Sequence, residues 1–359
     1  MNSFVPFSGS YAPGDVEFIL RPVEIDMTPV ELKEELIQSG KRHYSEMLSQ
    51  EPSPSSTHID IYNNALASGG KRMASECVAI AKSLKQAIPD EPIILVSLVR
   101  AGVPLGVVLH QTLSSLGYES HHYGISIIRD RGIDNKALAY IEEKHGTSGI
   151  VFVDGWTGKG AITGELIKSL HSRPGYPKQP RLVVLADPCG CAWLSASGDD
   201  WLIPFGILGA PVSGMVSRSI WSADDYHGCV RTTHLSEFEC SQHFVDVIAE
   251  HRKSLTFESI KPCVWSDADR ASLSSLSKSV IDSVATQFEI TSTNRIKPGI
   301  AEATRAVLRR VPDHVLIKDL NDPDVQLLIH LAESAGVQVT EAGKALGPYR
   351  ALTIIKKVS

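Results

Sequence analysis

The sequence predicts an α/β fold in which a parallel sheet, with helices on both faces, precedes a small C-terminal α/β sandwich. Apolar segments of strand type alternate with helical patterns between residues 93 and 186, and such alternation is typical of parallel sheets. Three of the strand segments end in a charged residue that opens a turn, at Arg100, Arg129 and Asp154. Residues 293–359 carry 10 Lys or Arg and 7 Asp or Glu, although the whole chain has a net charge of −6. The sequence therefore predicts two folded parts of opposite charge.

The predicted elements begin after an extended segment over residues 1–25. Thr28 is the expected N-cap of a first helix, because Pro29 lies in the first turn and Glu31 stands at a capping-box position. This helix is predicted to continue toward Ile37, and further helical patterns cover residues 59–66 and 73–84. The alternating segments that follow are strands over 93–99, 123–128, 150–153 and 182–186, with helices over 105–116, 136–144 and 161–170.

The second half of the chain is predicted to contain a joint and then the basic part. Residues 201–209 fit a strand or a loop, and the Ser-rich segment 263–292 predicts a linker with a helix over 270–284. A basic helix over 297–310 is followed by predicted strands over 315–317, 337–339 and 349–355 and a helix over 325–335. We therefore predict domains over residues 1–262 and 293–359, joined by residues 263–292.

Composition excludes several classes of protein. Hydrophobic residues make up 43% and charged residues 21% of the 359 residues, as in ordinary globular proteins. No apolar run approaches 18 residues, and the first eight residues lack the pattern of a secretory leader. Six cysteines in this length do not form a disulfide framework. We expect a cytoplasmic protein with reduced thiols and no membrane contact; a homodimer remains open.

The most informative motif runs from Gly149 to Thr163, where an apolar strand ends in Asp154 and a Thr/Gly-rich turn precedes a helix. The carboxylate of Asp154 can accept hydrogen bonds from sugar hydroxyls, and the turn and helix N-terminus can wrap a phosphate. The P-loop pattern fails because Gly160, not Ser or Thr, follows Lys159, and the dinucleotide pattern fails at Thr163. The turn therefore predicts a ribose-phosphate site of another type.

Two further strand ends are predicted to lie at the same edge of the sheet. The segment Arg100-Ala101-Gly102 follows the strand over 93–99, and a loop with Arg129 and Arg131 follows the strand over 123–128. Ligands of such sheets bind at the carboxyl ends of the strands, and arginine is suited to phosphate because its planar fork donates two hydrogen bonds. We expect one phosphate-binding site at this edge. The alternative is that these residues belong to ordinary solvent-exposed turns.

The cysteines allow three interpretations, which are a metal site, a catalytic nucleophile and no chemical role. Cys189 and Cys191 form a C-x-C pair, but a zinc site needs further ligands, and no second paired motif appears. No metal site is therefore predicted from the chain's own residues. A nucleophilic cysteine needs an adjacent base, and no His pattern accompanies Cys189 or Cys191. The histidines and cysteines that could supply a partner are nearby in sequence: His227, Cys229, His234, Cys240 and His243.

The order of acid, small residue, Thr, Gly and Gly after a strand resembles the phosphoribosyl-pyrophosphate (PRPP) loop of phosphoribosyltransferases. The resemblance implies a Mg²⁺-dependent transfer of ribose 5-phosphate from PRPP to an unknown acceptor with release of pyrophosphate. It places Asp154 on the ribose, Arg129 and Arg131 in a closing loop, and the remaining residues on phosphate groups: Arg100, Ala101 and Gly102 on pyrophosphate, and Thr157, Gly158, Lys159, Gly160 and Ala161 on the 5′-phosphate. The sequence departs from that family at Gly155, where a second acid is usual.

The C-terminal part resembles the pelota-type RNA-binding domain and its kink-turn-binding relatives. The resemblance rests on the helix start Gly299-Ile300-Ala301-Glu302-Ala303-Thr304-Arg305 and on the order of strands and helices around it. It implies that RNA is the partner of this part. The residues it assigns to the RNA are Gly299, Glu302, Thr304 and Arg305.

Almost the whole chain resembles one bacterial family, the phosphoribosyltransferase-like proteins with a C-terminal pelota domain from tellurium-resistance and stress gene clusters. Members of this family are also described as cysteine proteases of the StiP type. The resemblance therefore leaves two alternatives to the transferase. One is a nucleotide-sensing RNA-binding regulator without catalysis, and the other is a cysteine-dependent hydrolase. Activity that is lost in Cys191→Ala but kept in Asp154→Asn would favour the hydrolase.

Overall fold

The computed structural model describes residues 4–357 of the chain. Two short stretches lie outside the described residues, namely residues 1–3 and 358–359. The first belongs to the segment predicted to lack a leader pattern, and the second ends the last predicted domain. The helices are α1 Val30–Gln38, α2 Ser56–Ala87, α3 Gly102–Ser115, α4 Asn135–His145, α5 Ala161–Leu170, α6 Pro204–Ile207, α7 Ser241–Lys253, α8 Asp267–Gln287, α9 Ile300–Arg309 and α10 Gln326–Ser334.

The strands and the short 3₁₀ turns complete the secondary structure of the described residues. The strands are β1 Glu17–Phe18, β2 Arg21–Pro22, β3 Ile93–Leu98, β4 Ser120–Ile125, β5 Ile127–Ile128, β6 Gly132–Ile133, β7 Ile150–Val153, β8 Leu182–Ala186, β9 Leu194–Ser197, β10 Gly228–Cys229, β11 Ile296–Pro298, β12 Pro312–Ile317, β13 Gln338–Glu341 and β14 Ala351–Ile355. The 3₁₀ turns are Tyr44–Glu46, Ala210–Val212, Thr233–Phe238, Phe257–Ser259, Thr293–Arg295, Pro323–Val325 and Gly343–Leu346.

A six-stranded parallel sheet forms the centre of what we call the N-terminal unit, which also contains α1 to α7. Its strand order is β1-β4-β3-β7-β8-β9, and every pair in it is parallel. All residues of β3 and β7 are buried, as expected for central strands that helices cover on both faces. Side chains of α2, α3 and α7 pack in one hydrophobic cluster, and those of α4 and α5 pack in another. The predicted parallel α/β class is confirmed.

One long helix replaces the two helices predicted over residues 59–66 and 73–84. Helix α2 passes without a break through Gly69 and Gly70, two residues with low intrinsic helix propensity. Gly69 faces the ring of Trp201, and Gly70 faces the ring of His251 on α7. A larger residue at position 70 would overlap His251, so close packing against α7 explains the glycine where local propensity predicted an interruption.

What we call the C-terminal unit contains a four-stranded sheet of order β11-β14-β12-β13 together with α8, α9 and α10. Only the pair β12–β13 is parallel, and the other pairs are antiparallel. Helix α8 lies in the segment predicted as a joint and begins with a capping box between Ser266 and Asp269. Its residues Val280, Ile281 and Val284 pack with strand residues of this sheet, so α8 supplies part of the core of the unit.

The largest hydrophobic cluster of the described residues extends through both units. Ile300, Ala303 and Val307 of α9 belong to the same cluster as Val153 at the end of β7 and Phe205 of α6. This packing sets the N-terminal half of α9 against the carboxyl edge of the parallel sheet. None of the helices formed by residues 4–357 is both long and apolar enough to cross a membrane.

Candidate functional site

A cavity of about 290 Å³ lies where the carboxyl edge of the parallel sheet meets α9. The N-terminal unit contributes the ends of β3 and β7 and the Thr/Gly turn, and the C-terminal unit contributes three side chains of α9. The predicted residues that line it are Arg100, Ala101, Asp154, Thr157, Gly158, Lys159, Gly160, Ala161, Glu302 and Arg305. The structure thus brings two motifs that are almost 150 residues apart into one enclosed site.

Asp154 occupies the expected position directly after β7 but is enclosed. Its Oδ1 accepts a hydrogen bond of 2.8 Å from the backbone N–H of Gly155. Burial raises the pKa of Asp154 to about 7, although the Gly155 N–H and the Arg305 guanidinium act in the opposite direction. A carboxyl group with a strongly shifted pKa in a cavity is a common feature of functional sites.

The Thr/Gly turn is covered by the C-terminal unit. The Glu302 carboxylate lies so close to Gly158 that a Cβ at this glycine would overlap it. The Tyr349 hydroxyl donates to the Gly158 carbonyl at 2.6 Å, and Lys159 donates to the carbonyls of Thr293 and of Ile296. The turn predicted to hold a 5′-phosphate therefore serves as a contact surface for the C-terminal unit, with a carboxylate beside it.

Three predicted transferase residues do not line the cavity. Arg131 forms an ion pair with Glu46 and lies over the ring of Trp221 at 4.0 Å. Arg129 donates to the side chain of Asn294 at 3.3 Å. Gly102 begins α3 and packs against the backbone of β7 so closely that a Cβ would overlap the Val153 carbonyl. The expected closing loop is thus held by other contacts, and Gly102 has a packing role.

The residues assigned to RNA are also engaged inside the molecule. At the start of α9, the backbone N–H of Ile300 donates to Asp200 Oδ1 at 3.0 Å, and the carboxylate lies next to Gly299. Thr304 is 1% exposed and donates to the Ile300 carbonyl, while Arg305 lies over the ring of Trp156 at 4.5 Å. In this structure Asp200 covers the N-terminus of α9 next to Gly299, so the residues assigned to RNA are not on an open face.

The C-x-C pair lies just behind the Thr/Gly turn. The sulfur atoms of Cys189 and Cys191 are 3.1 Å apart, and Cys191 Sγ is 3.0 Å from the Thr163 hydroxyl. Asp187, which the sequence did not single out, completes a group whose three ligand atoms lie within 4.8 Å of one another. Both oxygens of Asp187 already accept hydrogen bonds, from Thr157 and Cys191 N–H at Oδ1 and from Ala192 N–H at Oδ2. The donor set is therefore satisfied by the protein itself.

A second cavity, of about 460 Å³, lies on the surface beside the start of α7. We call it the α7 groove. Cys240 at the N-cap position of α7 and His243 in its first turn both line it. Among the five principal cavities formed by the described residues, it is the one lined by both a cysteine and a histidine. Both residues were among the candidates named from the sequence, but their Cys-x-x-His spacing at the start of a helix was not recognised. This spacing is the signal from which the pair could have been predicted.

Tyr62 and the start of α7 place hydrogen-bond donors beside Cys240. The Tyr62 hydroxyl is buried next to the Cys240 thiol and interacts with it. Burial raises the pKa of Tyr62, so this hydroxyl stays protonated. The backbone N–H of Ser241, the first residue of α7, donates to Glu239 Oε1 at 2.7 Å, so the donors left in the first turn are the N–H groups of Gln242 and His243. A negative charge that develops beside Cys240 would meet these two donors, and it would also meet the Glu239 carboxylate, which together with burial raises the pKa of Cys240.

The thiol of Cys240 is protonated at neutral pH. Cys240 is half-buried and His243 is exposed. Burial raises the pKa of Cys240 to about 11, although the neighbouring Tyr62 hydroxyl lowers it. Since the thiolate is the nucleophile, reaction at Cys240 requires a base that removes its proton. The side chain of residue N3 of a helix can reach back to the N-cap, as in a capping box, and here that residue is His243.

Comparison with known proteins shows the family to which the chain belongs, whose members are described as cysteine proteases. Residues 9–249 match the family model described as "Tellurite-like stress resistance cysteine protease StiP", and the chain belongs to this family. The protein named "Cysteine protease StiP" from Acinetobacter baylyi is 47% identical over 98% of this chain and 95% of its own length. Residues 275–357 match the model described as "PELOTA RNA binding domain".

The comparisons correct the main functional prediction. Solved structures similar to this chain include hypoxanthine phosphoribosyltransferase from Trypanosoma cruzi, with 13% identity, 36% of this chain and 68% of that chain covered, and a TM-score of 0.28. Another is the HGPRTase of Leishmania tarentolae, with 15% identity, 36% and 75% coverage and a TM-score of 0.27. Structural similarity this low gives no information about the function of this chain. The prediction of a PRPP- and Mg²⁺-dependent transferase is wrong, because the family and the 47% identical relative are described as cysteine proteases, and the alternative of a cysteine-dependent hydrolase fits them.

Proposed function

We propose that this protein hydrolyses peptide bonds with Cys240 as nucleophile and His243 as general base. The single observation that carries the assignment is the α7 groove, a surface cavity lined by Cys240, His243 and Tyr62. The family match supports cysteine chemistry. Cys191 is half-buried like Cys240, but Cys189 and Cys191 contact the hydroxyl groups of Thr157 and Thr163 and the Asp187 carboxylate. Neither of these two cysteines lines any of the five principal cavities of the described residues, whereas Cys240 lines the open α7 groove.

The proposed reaction assigns a role to each of these groups. His243 accepts the proton of Cys240, and the thiolate attacks the carbonyl carbon of the scissile peptide. The oxyanion that forms is stabilised by the backbone N–H groups of Gln242 and His243 in the first turn of α7. The imidazolium then protonates the departing amine, and water hydrolyses the thioester to release the second product and regenerate the thiol.

Replacement of His243 by Gln tests the base. Since the thiol of Cys240 has a pKa of about 11, loss of the base is expected to lower the rate of casein hydrolysis by about 10²- to 10⁴-fold. His234→Gln is the matched control, because His234 is exposed and bonds only the Glu51 carbonyl, at 3.0 Å. Casein hydrolysis that needs no reducing agent, or an undiminished rate in His243→Gln, would overturn the proposal.

A cytoplasmic location belongs to the same proposal. All six cysteines are free thiols, and thiols stay reduced in the cytosol, whereas disulfides form in oxidising compartments.

We also propose that the C-terminal unit binds RNA, which the match of residues 275–357 favours. Because Asp200 covers the start of α9, RNA binds either to another face of this unit or after this contact has opened. Asp200→Ala in the full chain is expected to strengthen binding to a structured RNA only in the second case, and Asp90→Ala, an exposed acid of the N-terminal unit, is the control for charge. Undetectable binding by both the wild type and Asp200→Ala at low salt would contradict RNA binding.

A further inference from the structure

The cavity between the two units carries more positive than negative charge. Its acids are Asp154 and Glu302, whereas its cations are Arg100, Lys159, Arg218, Arg305 and Arg309. The cations come from both units, and Arg218 and Arg309 were not among the predicted residues. The i, i+4 spacing of Arg305 and Arg309 on α9 places both on one face of the helix, and that face points into the cavity.

Arg305 is the central feature of this charge. The Nε and Nη2 atoms of its guanidinium are buried, and they have no hydrogen-bond partner among residues 4–357. One face of the guanidinium is covered by the ring of Trp156, at 4.5 Å from the centroid. Buried polar groups nearly always have a partner, and an exception calls for an explanation such as a bound ion or ligand.

The neighbouring acids offset only part of this charge, since Asp154 and Glu51 attract Arg305 but neither accepts a hydrogen bond from its Nε or Nη2. Glu51 forms ion pairs with both Arg100 and Arg309, so one carboxylate serves two guanidiniums. Arg218 donates to backbone carbonyls of Tyr44 and Met47. Burial, together with repulsion by Arg309 and Arg100, lowers the pKa of Arg305 to about 9. Burial and Arg100 lower the pKa of Arg309 to about 10.

We propose that this cavity binds a small phosphate-bearing molecule, held by Arg305 and Arg309 of the C-terminal unit together with Arg100 and Arg218 of the N-terminal unit. Phosphate oxygens accept paired hydrogen bonds from arginine forks, which is the interaction that Arg305 lacks. The volume of about 290 Å³ is near the lower end of ligand pockets, about 300 Å³, and suits a small molecule rather than an RNA chain. Since both units contribute arginines, the ligand would tie them together. This site is separate from the α7 groove and does not depend on peptide hydrolysis.

The test compares the wild type with Arg305→Met in calorimetry and thermal unfolding, with inorganic phosphate, adenosine monophosphate and acetate as probes. Phosphate is expected to raise the Tm of the wild type, and acetate is not. Arg305→Met is expected to have a higher Tm than the wild type without phosphate, because a buried unpaired charge is removed. Its affinity for phosphate should fall about 10- to 100-fold, the range of one or two charge-assisted hydrogen bonds.

Arg21→Met is the matched control, since Arg21 is exposed and pairs with Asp225 far from the cavity; it should behave as the wild type in phosphate binding. Tighter binding of adenosine monophosphate than of phosphate would identify an organic phosphate, and equal affinity would identify the free anion. Arg309→Met provides a second variant if Arg305→Met does not fold. Equal effects of acetate and phosphate, or binding that neither variant weakens, would overturn the proposal.

Discussion

Asp200→Ala is expected to destabilise the contact between the two units strongly. The carboxylate of Asp200 accepts hydrogen bonds from the backbone N–H groups of Ile300, at 3.0 Å, and Arg350, at 2.9 Å. Its removal leaves two backbone donors without a partner in a buried region, and each such donor costs about 1–3 kcal/mol. We therefore expect the free energy of unfolding at pH 6 to fall by about 2–5 kcal/mol, measured by chemical denaturation.

Asp90→Ala is the control for this measurement, because Asp90 is exposed and its replacement should change the stability by less than about 0.5 kcal/mol. An equally small change in Asp200→Ala would show that Asp200 does not hold α9.

The stability contribution of Asp200 should also depend on pH. Burial raises its pKa to about 7, whereas an unfolded Asp has a pKa of about 3.9. The folded state therefore binds more protons between these values, and the contribution of Asp200 is full below about pH 4 and is lost as the pH rises to about 7. Asp200→Asn keeps an acceptor but does not titrate. The free energy of unfolding of Asp200→Asn minus that of the wild type should thus rise by about 4 kcal/mol between pH 4 and pH 8. If this difference does not change with pH, the buried position of Asp200 is contradicted.

The sequence predicted the parallel sheet well, because its signals are local. The segments over 150–153, 161–170 and 182–186 have the bounds of β7, α5 and β8, since apolar runs with clear turn residues define short buried strands. The break predicted within α2 was wrong, because the glycines at 69 and 70 are explained by Trp201 and His251, which are distant in sequence. Tertiary packing of this kind has no local signal.

The candidate sites were only partly predictable for the same reason. The turn at Asp154 and the start of α9 were each found from their motifs, but no local pattern shows that Glu302 covers Gly158 or that Asp200 binds the N-terminus of α9. The resemblance to two families implies a phosphate ligand at the turn and RNA at the start of α9. In the structure, side chains from the other unit lie at both places instead. Cys240 and His243 lie outside both motifs, so neither resemblance pointed to the pair that we propose as nucleophile and base.

Cys240→Ala is expected to abolish peptide hydrolysis, because the thiolate is the group that attacks the substrate. The loss should be at least about 10³-fold, as when a catalytic nucleophile is removed and only binding and oxyanion contacts remain. Cys263→Ala is the matched control. Cys263 is half-buried like Cys240, and burial raises the pKa of both thiols to about 11, but Cys263 does not line the α7 groove. Cys191→Ala tests the rival thiol beside the Thr/Gly turn.

The most direct test is the rate of casein hydrolysis by these three variants and the wild type, measured side by side under reducing conditions with equal amounts of folded protein. The account predicts that Cys240→Ala alone is inactive and that Cys263→Ala and Cys191→Ala retain the wild-type rate. Activity that survives in Cys240→Ala and is lost in Cys191→Ala would contradict the account and move the nucleophile to the Thr/Gly turn.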